Sequence, residues 1–365
     1  MTHTPRNRTS ISRRTLLRGS AAVGLAAAGL SVNAAGASAA VTSTKIKDLV
    51  GTQTPVQYGI GATDLGIPAI APDGRAVWVF GDTWLDHVGG TNWRSPVALY
   101  SGTTNPNAGV TFNGCAGNGA TTQAHAPQLW YYPHDHYFTT VIPSDVITIG
   151  GTMYLHAIVN GPHFGAVRWT EVWQSTDSGA TWQHTGLTFP GDKDGGYFQC
   201  ITWGQGNDGY VYLFATGFQR DKGIKLYRVP ETQITNGAAY QPWGWNGSHW
   251  VWGATATEVL PGGFGEMCLR PLGGKWLLTY FNAQDYRIDA MVLNTPTDNL
   301  HTAAKTTLLW GGEWGSESHS HVAQLYGGYV IPGSSLSDLH LSVSQWKTAD
   351  NSVYHSMQFR IQGLL

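Results

Sequence analysis

The sequence predicts an all-β chain folded as a single five-bladed β-propeller, and three observations carry that prediction. No long segment after Val41 has helical periodicity; short runs rich in Val, Ile, Thr, Tyr and Trp recur instead, bounded by Gly, Asn, Asp and Pro. A turn followed by an apolar strand returns five times, at a spacing of roughly 60 to 75 residues. A single Ser-x-Asp-x-Gly-x-x-Trp run at 175–182 has the form of the Asp box, a hairpin turn of propeller blades.

The elements follow in chain order. Residues 1–39 stand apart: Arg6, Arg8, Arg13, Arg14 and Arg18 precede an apolar run from Ala21 to Val32, and Ala37-Ser38-Ala39 offers a small-residue cleavage site. The run is far shorter than the ~20 residues that cross a bilayer, so it reads as an export signal rather than a span. Ser12-Arg13-Arg14-Thr15-Leu16-Leu17 carries the paired arginines of the twin-arginine route. The mature chain, 40–365, is therefore expected outside the cytoplasm, secreted or associated with the cell wall, with no membrane partner. The repeated turn-plus-strand units then come at 73–80, 150–157, 208–215, 273–280 and, more loosely, 337–343. Five units, each with strands on either side, make five four-stranded blades and leave no second domain. In the Asp box, Asp177 is read as structural: its carboxylate caps backbone N–H groups in the turn, Gly179 supplies positive φ and Trp182 packs inward.

Composition narrows the function. Charged residues make up only 12% of the chain and the formal charge is −2, which removing the five signal arginines takes to −7. A nucleic-acid partner, which needs a basic footprint, is excluded on that ground. Cys115, Cys200 and Cys268 are too few for a disulfide scaffold and read as inert buried thiols. No His-Glu-x-x-His, phosphate-cradling Gly loop or Gly-x-Ser-x-Gly elbow is present.

With 23 acids in the chain, those in apolar, Gly-bounded contexts stand out: Asp64, Asp82, Asp145 and Glu266. Asp64 and Asp82 flank a turn at 71–74. If 67–70 and 75–80 pair as neighbouring strands, the chain leaves and returns to the same end, bringing both carboxylates to one rim. Glycosidic cleavage commonly uses two such groups, one protonating the leaving oxygen and one attacking the sugar or activating water. Spacing alone equally allows each Asp to be a strand-end residue accepting backbone bonds.

Gly-Ala-Thr-Asp-Leu-Gly at 61–66 and Phe-Gly-Asp-Thr-Trp at 80–84 resemble the opening of the family catalogued as domain of unknown function 4185, now glycoside hydrolase family 183, the endo-D-arabinanases. The resemblance continues through 142–145, 150–155, 175–182, 265–270, 275–280 and 325–329, nearly the whole mature chain. It implies a five-bladed propeller cleaving internal α-D-arabinofuranosyl bonds of mycobacterial-type arabinogalactan and lipoarabinomannan. The family's catalytic aspartates would fall on Asp64, as nucleophile, and Asp82, as acid/base, in a retaining scheme; the reverse assignment stays open. Asp145, Glu266 and Arg270 become candidates for holding sugar hydroxyls or tuning the pair.

Aromatic faces suit a sugar ligand. Trp84, Trp93, Trp130, Trp169, Trp203 and Trp314 lie near turns or strand ends where subsites would be, and Trp84, Trp169, Trp203, Tyr326 and the loop residue His125 are taken as substrate contacts. The Trp-rich run at 243–252 reads as an insertion before the fourth blade. No cofactor is required; Glu317, His319 and His321, the two histidines on one side of a strand, could ring a structural cation in the channel. A monomer is expected. Competing readings are a glycan-binding propeller without chemistry, a sialidase, disfavoured by the scarcity of arginines, and an enzyme acting on L-arabinan.

Overall fold

The computed structural model describes residues 41–117 and 125–365; the export signal read at 1–39 lies outside the described residues. Five sheets, antiparallel but for one short strand in the fourth, succeed one another along the chain. The first blade is β2 (Leu65–Ile70), β3 (Ala76–Phe80), β4 (Val97–Ser101) and β5 (Gly114–Ala116). The second is β6 (Thr140–Ile149), β7 (Thr152–Asn160), β8 (Val167–Ser175) and β9 (Gln183–Pro190). The third runs β10 (Cys200–Gln205), β11 (Tyr210–Thr216) and β12 (Ile224–Pro230), extended by the Trp-rich hairpin β13 (Gln241–Trp245) and β14 (Trp250–Trp252), with β15 (Glu258–Leu260) also on β12. The fourth is β16 (Phe264–Leu272), β17 (Lys275–Asn282), β18 (Arg287–Leu293), β19 (Lys305–Gly312) and a short parallel β20 (His321–Ala323).

The last blade shows how the ring closes. β21 (Leu325–Val330), β22 (Asp338–Trp346) and β23 (Tyr354–Gln362) come from the C-terminal end of the chain, and the outermost strand is β1 (Thr42–Gly51) from its beginning. β1 pairs with β23 from Thr42↔Gln362 to Gly51↔His355, so backbone hydrogen bonds hold the ring shut. All five repeated units foreseen in the sequence are second strands: β3, β7, β11, β17 and β22.

The innermost strands β2, β6, β10, β16 and β21 pack around the axis. They are covered on both faces, which is why β21 is buried throughout and why their composition is apolar and glycine-rich. Gly204 on β10 illustrates the need for glycine: a Cβ there would stand 2.5 Å from the Trp276 ring of the next blade. Between blades lie Trp78, Trp203, Tyr100, Tyr280 and Phe80, all fully buried. The Asp box behaves as read: Asp177 accepts from Thr181 N–H at 2.9 Å and from the Ser175 hydroxyl at 2.7 Å, with Gly179 at φ +86°. Cys115, Cys200 and Cys268 are free and buried, and burial pushes the Cys200 thiol up to about 12 and Cys268 up to about 11.

Candidate active site

Asp64 stands immediately before β2, and Asp82 follows β3 by one residue. Because β2 and β3 are antiparallel, with Leu65 opposite Phe80, both carboxylates emerge at the same mouth of the channel. The first residues of β2 are bent out of regular pairing: Leu65 has φ +68° and Gly66 φ +78°, at a bulge between Leu65 and Ile67. A left-handed conformation is costly for leucine and persists only where surroundings enforce it. Here three serines of the last blade enforce it. Leu65 N–H donates to Ser344 Oγ at 2.8 Å, while the Leu65 carbonyl accepts from Ser342 at 3.0 Å and Ser356 at 3.1 Å. The seam between the first and last blades thus sets the aim of Asp64.

Asp64 is only 3% exposed, and the Tyr326 hydroxyl donates to its Oδ2 at 2.7 Å. Gly81 N–H reaches back to the Asp64 carbonyl at 3.2 Å. Asp82 is half-buried; its Oδ1 accepts from the Trp93 indole N–H at 2.9 Å and from the Thr140 hydroxyl. The residues beside the two acids tie the turns together. Thr83 donates to the Gly81 carbonyl at 2.9 Å, leaving Thr63 to donate across the 2.7 Å gap between the two threonine hydroxyls. Tyr354 faces both acids: burial, then the negative charges of Asp64 and Asp82, hold its hydroxyl well above the ordinary tyrosine range, so it remains a neutral donor.

A cavity of about 380 Å³ opens beside Tyr326, lined among others by Arg220, Phe281, Tyr286, Gln324 and Trp346. Arg220, on the β11–β12 connection, pairs with Glu266 at 2.5 Å, and its guanidinium lies 5.0 Å from the Phe281 ring centre and 5.2 Å from that of Tyr326. Burial alone would lower the Arg220 pKa, but Glu266 outweighs it and the net direction is upward. The other charge on the lining, Asp221, is paired with Lys222 at 3.4 Å, so the cavity carries little net charge.

Of the sequence-derived residues, the structure gathers Asp64, Asp82, Tyr326 and Glu266 at one mouth. It separates the others. Asp145, wholly buried, pairs at 2.7 Å with Arg270, whose side chain is 18% exposed, and also accepts from Thr202 and from Trp203 N–H; the pair cross-ties three inner strands, and Arg270 lines a different cavity, with Pro68, Val146 and Val330, from the one beside Tyr326. Trp203 is 0% exposed, edge-on to His156, and is a core residue rather than a sugar platform. Trp84 is buried behind Tyr354, 5.8 Å between rings, and acts as backing for the site. Trp169 lies two strands out from the axis and donates to Glu171 at 3.1 Å. His125 is exposed, its ring against Gly59.

The central cation reading fails on position. Glu317 and His319 lie on the β19–β20 connection and His321 begins β20, at the outer edge of the fourth blade rather than in the channel. Glu317 is engaged by Gln345 and by Ala323 N–H at 3.2 Å, and His319 Nδ1 accepts from Lys45 N–H. Among the described residues no group of three or more His, Cys, Asp or Glu is placed to hold a metal. Sequence reasoning missed Thr140, Tyr354 and Arg220. None sits in a motif; only Trp93, singled out as a rim indole, carried a signal.

Two oriented carboxylates thus stand at one mouth of a five-bladed ring, beside an aromatic-walled cavity. The chain belongs to the family described as Domain of unknown function (DUF4185), matched over residues 51–360. It is 30% identical over 339 residues to an uncharacterized 35.9 kDa protein in the asd 3′ region of Mycolicibacterium smegmatis, covering 88% of this chain and 98% of that protein. It is also 30% identical over 330 residues to notoamide biosynthesis cluster protein J′ of Aspergillus versicolor, covering 81% and 84%. Solved structures of similar fold include a putative hydrolase from Bacteroides ovatus, at TM-score 0.59 and 12% identity over 84% of this chain and 86% of that one. Another is the GH43_1 enzyme of Xanthomonas citri, at TM-score 0.52 and 11% identity over 86% and 90%. A β-xylosidase/α-arabinofuranosidase from a compost metagenome follows at TM-score 0.51 and 11% identity, covering 84% and 92%. Two of these three neighbours are GH43 enzymes, and at these identities the likeness is one of fold.

Proposed function

We propose that this protein is an exported endo-α-D-arabinanase that hydrolyses internal α-D-arabinofuranosyl linkages of mycobacterial-type arabinogalactan and lipoarabinomannan. The observation that carries the reading is the pair itself. Asp64 and Asp82 share one mouth, each fixed by hydroxyl or indole donors, beside a cavity whose walls suit an uncharged glycan. The motifs at 61–66 and 80–84, which resemble the endo-D-arabinanases, are the segments that supply these two acids. The paired arginines Arg13 and Arg14 ahead of the apolar run from Ala21 to Val32 support the reading of export.

In a retaining scheme the Asp64 carboxylate attacks the anomeric carbon while Asp82 gives its proton to the departing glycosidic oxygen. Water, losing a proton to Asp82, then releases the arabinosyl group and restores Asp64. The seam serines and Tyr326 fit Asp64 for attack by fixing its aim; partial exposure fits Asp82 for exchanging protons with water. Asp64→Asn and Asp82→Asn should each lower kcat on D-arabinan at least about 100-fold, the scale of acid–base and nucleophilic roles, at unchanged melting temperature. Near-normal turnover in either variant refutes the assignment. The anomer first released, read by NMR, checks retention.

A further inference from the structure

We infer that Arg220 recognises the sugar in the cavity beside Asp64, donating N–H bonds to hydroxyls of a neutral glycosyl unit there. The inference deepens the proposed function and rests on that reading of the site. Arg220 is built into position with unusual care for a loop residue. Its backbone is left-handed, φ +62°, a strained conformation for a long side chain, pinned by a bond from its N–H to the Gly217 carbonyl at 3.2 Å. Its guanidinium lies over the rings of Phe281 and Tyr326, which fixes its plane. β16 makes room for it at Gly265, where a Cβ would stand 2.9 Å from Arg220 Cγ and 3.0 Å from Nε.

Only one donor of that fixed plane is used within the protein, Nη2 to Glu266 Oε1 at 2.5 Å; the other side-chain N–H groups make no hydrogen bond among the described residues. The side chain is 22% exposed and lines the cavity, so those donors open onto it. A guanidinium carries five N–H donors in a rigid fork, and those not used within the protein are left to acceptors that enter the cavity. Glu266 cancels its charge, which favours neutral hydroxyl oxygens over a carboxylate or phosphate as acceptors. Tyr326 lies under the guanidinium and donates to Asp64, so a sugar held by Arg220 lies next to the reacting carboxylate.

The test uses the full mature protein. Titration calorimetry on the Asp64→Asn background would measure binding of D-arabino-, L-arabino- and xylo-oligosaccharides, with and without Arg220→Lys or Gly265→Ala. Lysine keeps the charge beside Glu266 but loses the fork; the alanine methyl displaces the arginine without removing it. Each change should weaken the best-bound oligosaccharide at least tenfold, and in the wild-type background should raise KM more than it lowers kcat. Unchanged affinity in folded Arg220→Lys or Gly265→Ala overturns the inference. If the tightest ligand is L-arabino- or xylo-oligosaccharide and Arg220→Lys still weakens it, the Arg220 role stands and the D-arabinan reading falls. Saturable binding to none of the three overturns both.

Discussion

Gly81→Ala places one methyl group against the reacting centre. Gly81 has no positive φ, so alanine fits its backbone. The new Cβ would lie 3.2 Å from Leu65 Cδ1 and 3.6 Å from Asp64 Cγ, overlapping Asp64 Oδ1. To restore ordinary contact Oδ1 must retreat by about 1 Å, and a misplacement of about 1 Å at a catalytic group costs about 100-fold in rate. The carboxylate cannot swing freely, because Tyr326 holds its other oxygen at 2.7 Å. Overpacking of this size costs about 1–3 kcal/mol, which in a protein this large lowers Tm by only a few degrees. Initial rates on D-arabinan, with thermal unfolding of the same samples, separate the effects. A loss near 100-fold in kcat/KM with a small Tm shift is expected. A folded Gly81→Ala variant with wild-type kcat/KM would refute the claim that the aim of Asp64 governs catalysis.

Other outcomes follow from the same contacts. Tyr326→Phe removes the hydroxyl on Asp64 and should lower kcat about tenfold or more with KM little changed, by steady-state kinetics; equal kcat would remove Tyr326 from the site. Ser344→Ala strips the acceptor from Leu65 N–H and should cost about 1–3 kcal/mol in urea unfolding, together with a loss of kcat that Ser344→Thr partly restores. Burial drops the His156 pKa to about 3 and that of His355 to about 4, below the unfolded value near 6.5. The unfolded chain therefore binds these protons first: stability is full above pH 6.5 and declines as pH falls toward 4, by about 1.4 kcal/mol per pH unit for each histidine. His156→Phe, at a ring with no hydrogen-bond partner among the described residues, should flatten that decline; an unchanged slope between pH 7 and 5 would contradict it. Raised and buried, the Cys200 and Cys268 thiols should resist Ellman's reagent until the protein unfolds.

The ring was legible because its repeat is local. A tight turn and an apolar second strand need only eight residues, and the five copies at 73–80 through 337–343 map one to one onto the blades. Asp64 and Asp82 were legible for the same reason, since a single hairpin joins them. What completes the site comes from far along the chain. Tyr326 is 262 residues from Asp64, Thr140 is 58 from Asp82, and Arg220 is 46 from Glu266. Tyr326 was foreseen through the resemblance at 325–329, but no local pattern marks Thr140 or Arg220. Distance also misled: Asp145 resembles a site acid because it stands in an apolar strand, yet its neutralising Arg270 lies 125 residues away and only the closed ring unites them. Trp203 looked like a rim indole because a strand end is near in sequence, but β10 is an inner strand and buries it.

The central claim is that Asp64 and Asp82 cut a D-arabinan chain from within. The direct measurement is incubation of the mature protein with mycobacterial arabinogalactan, with plant L-arabinan in parallel, resolving the released oligosaccharides by chromatography. The account predicts a ladder of D-arabino-oligosaccharides, no L-arabinan products, and no ladder from Asp64→Asn or Asp82→Asn. Products from L-arabinan alone, or silence on both polymers from the folded protein, would contradict it.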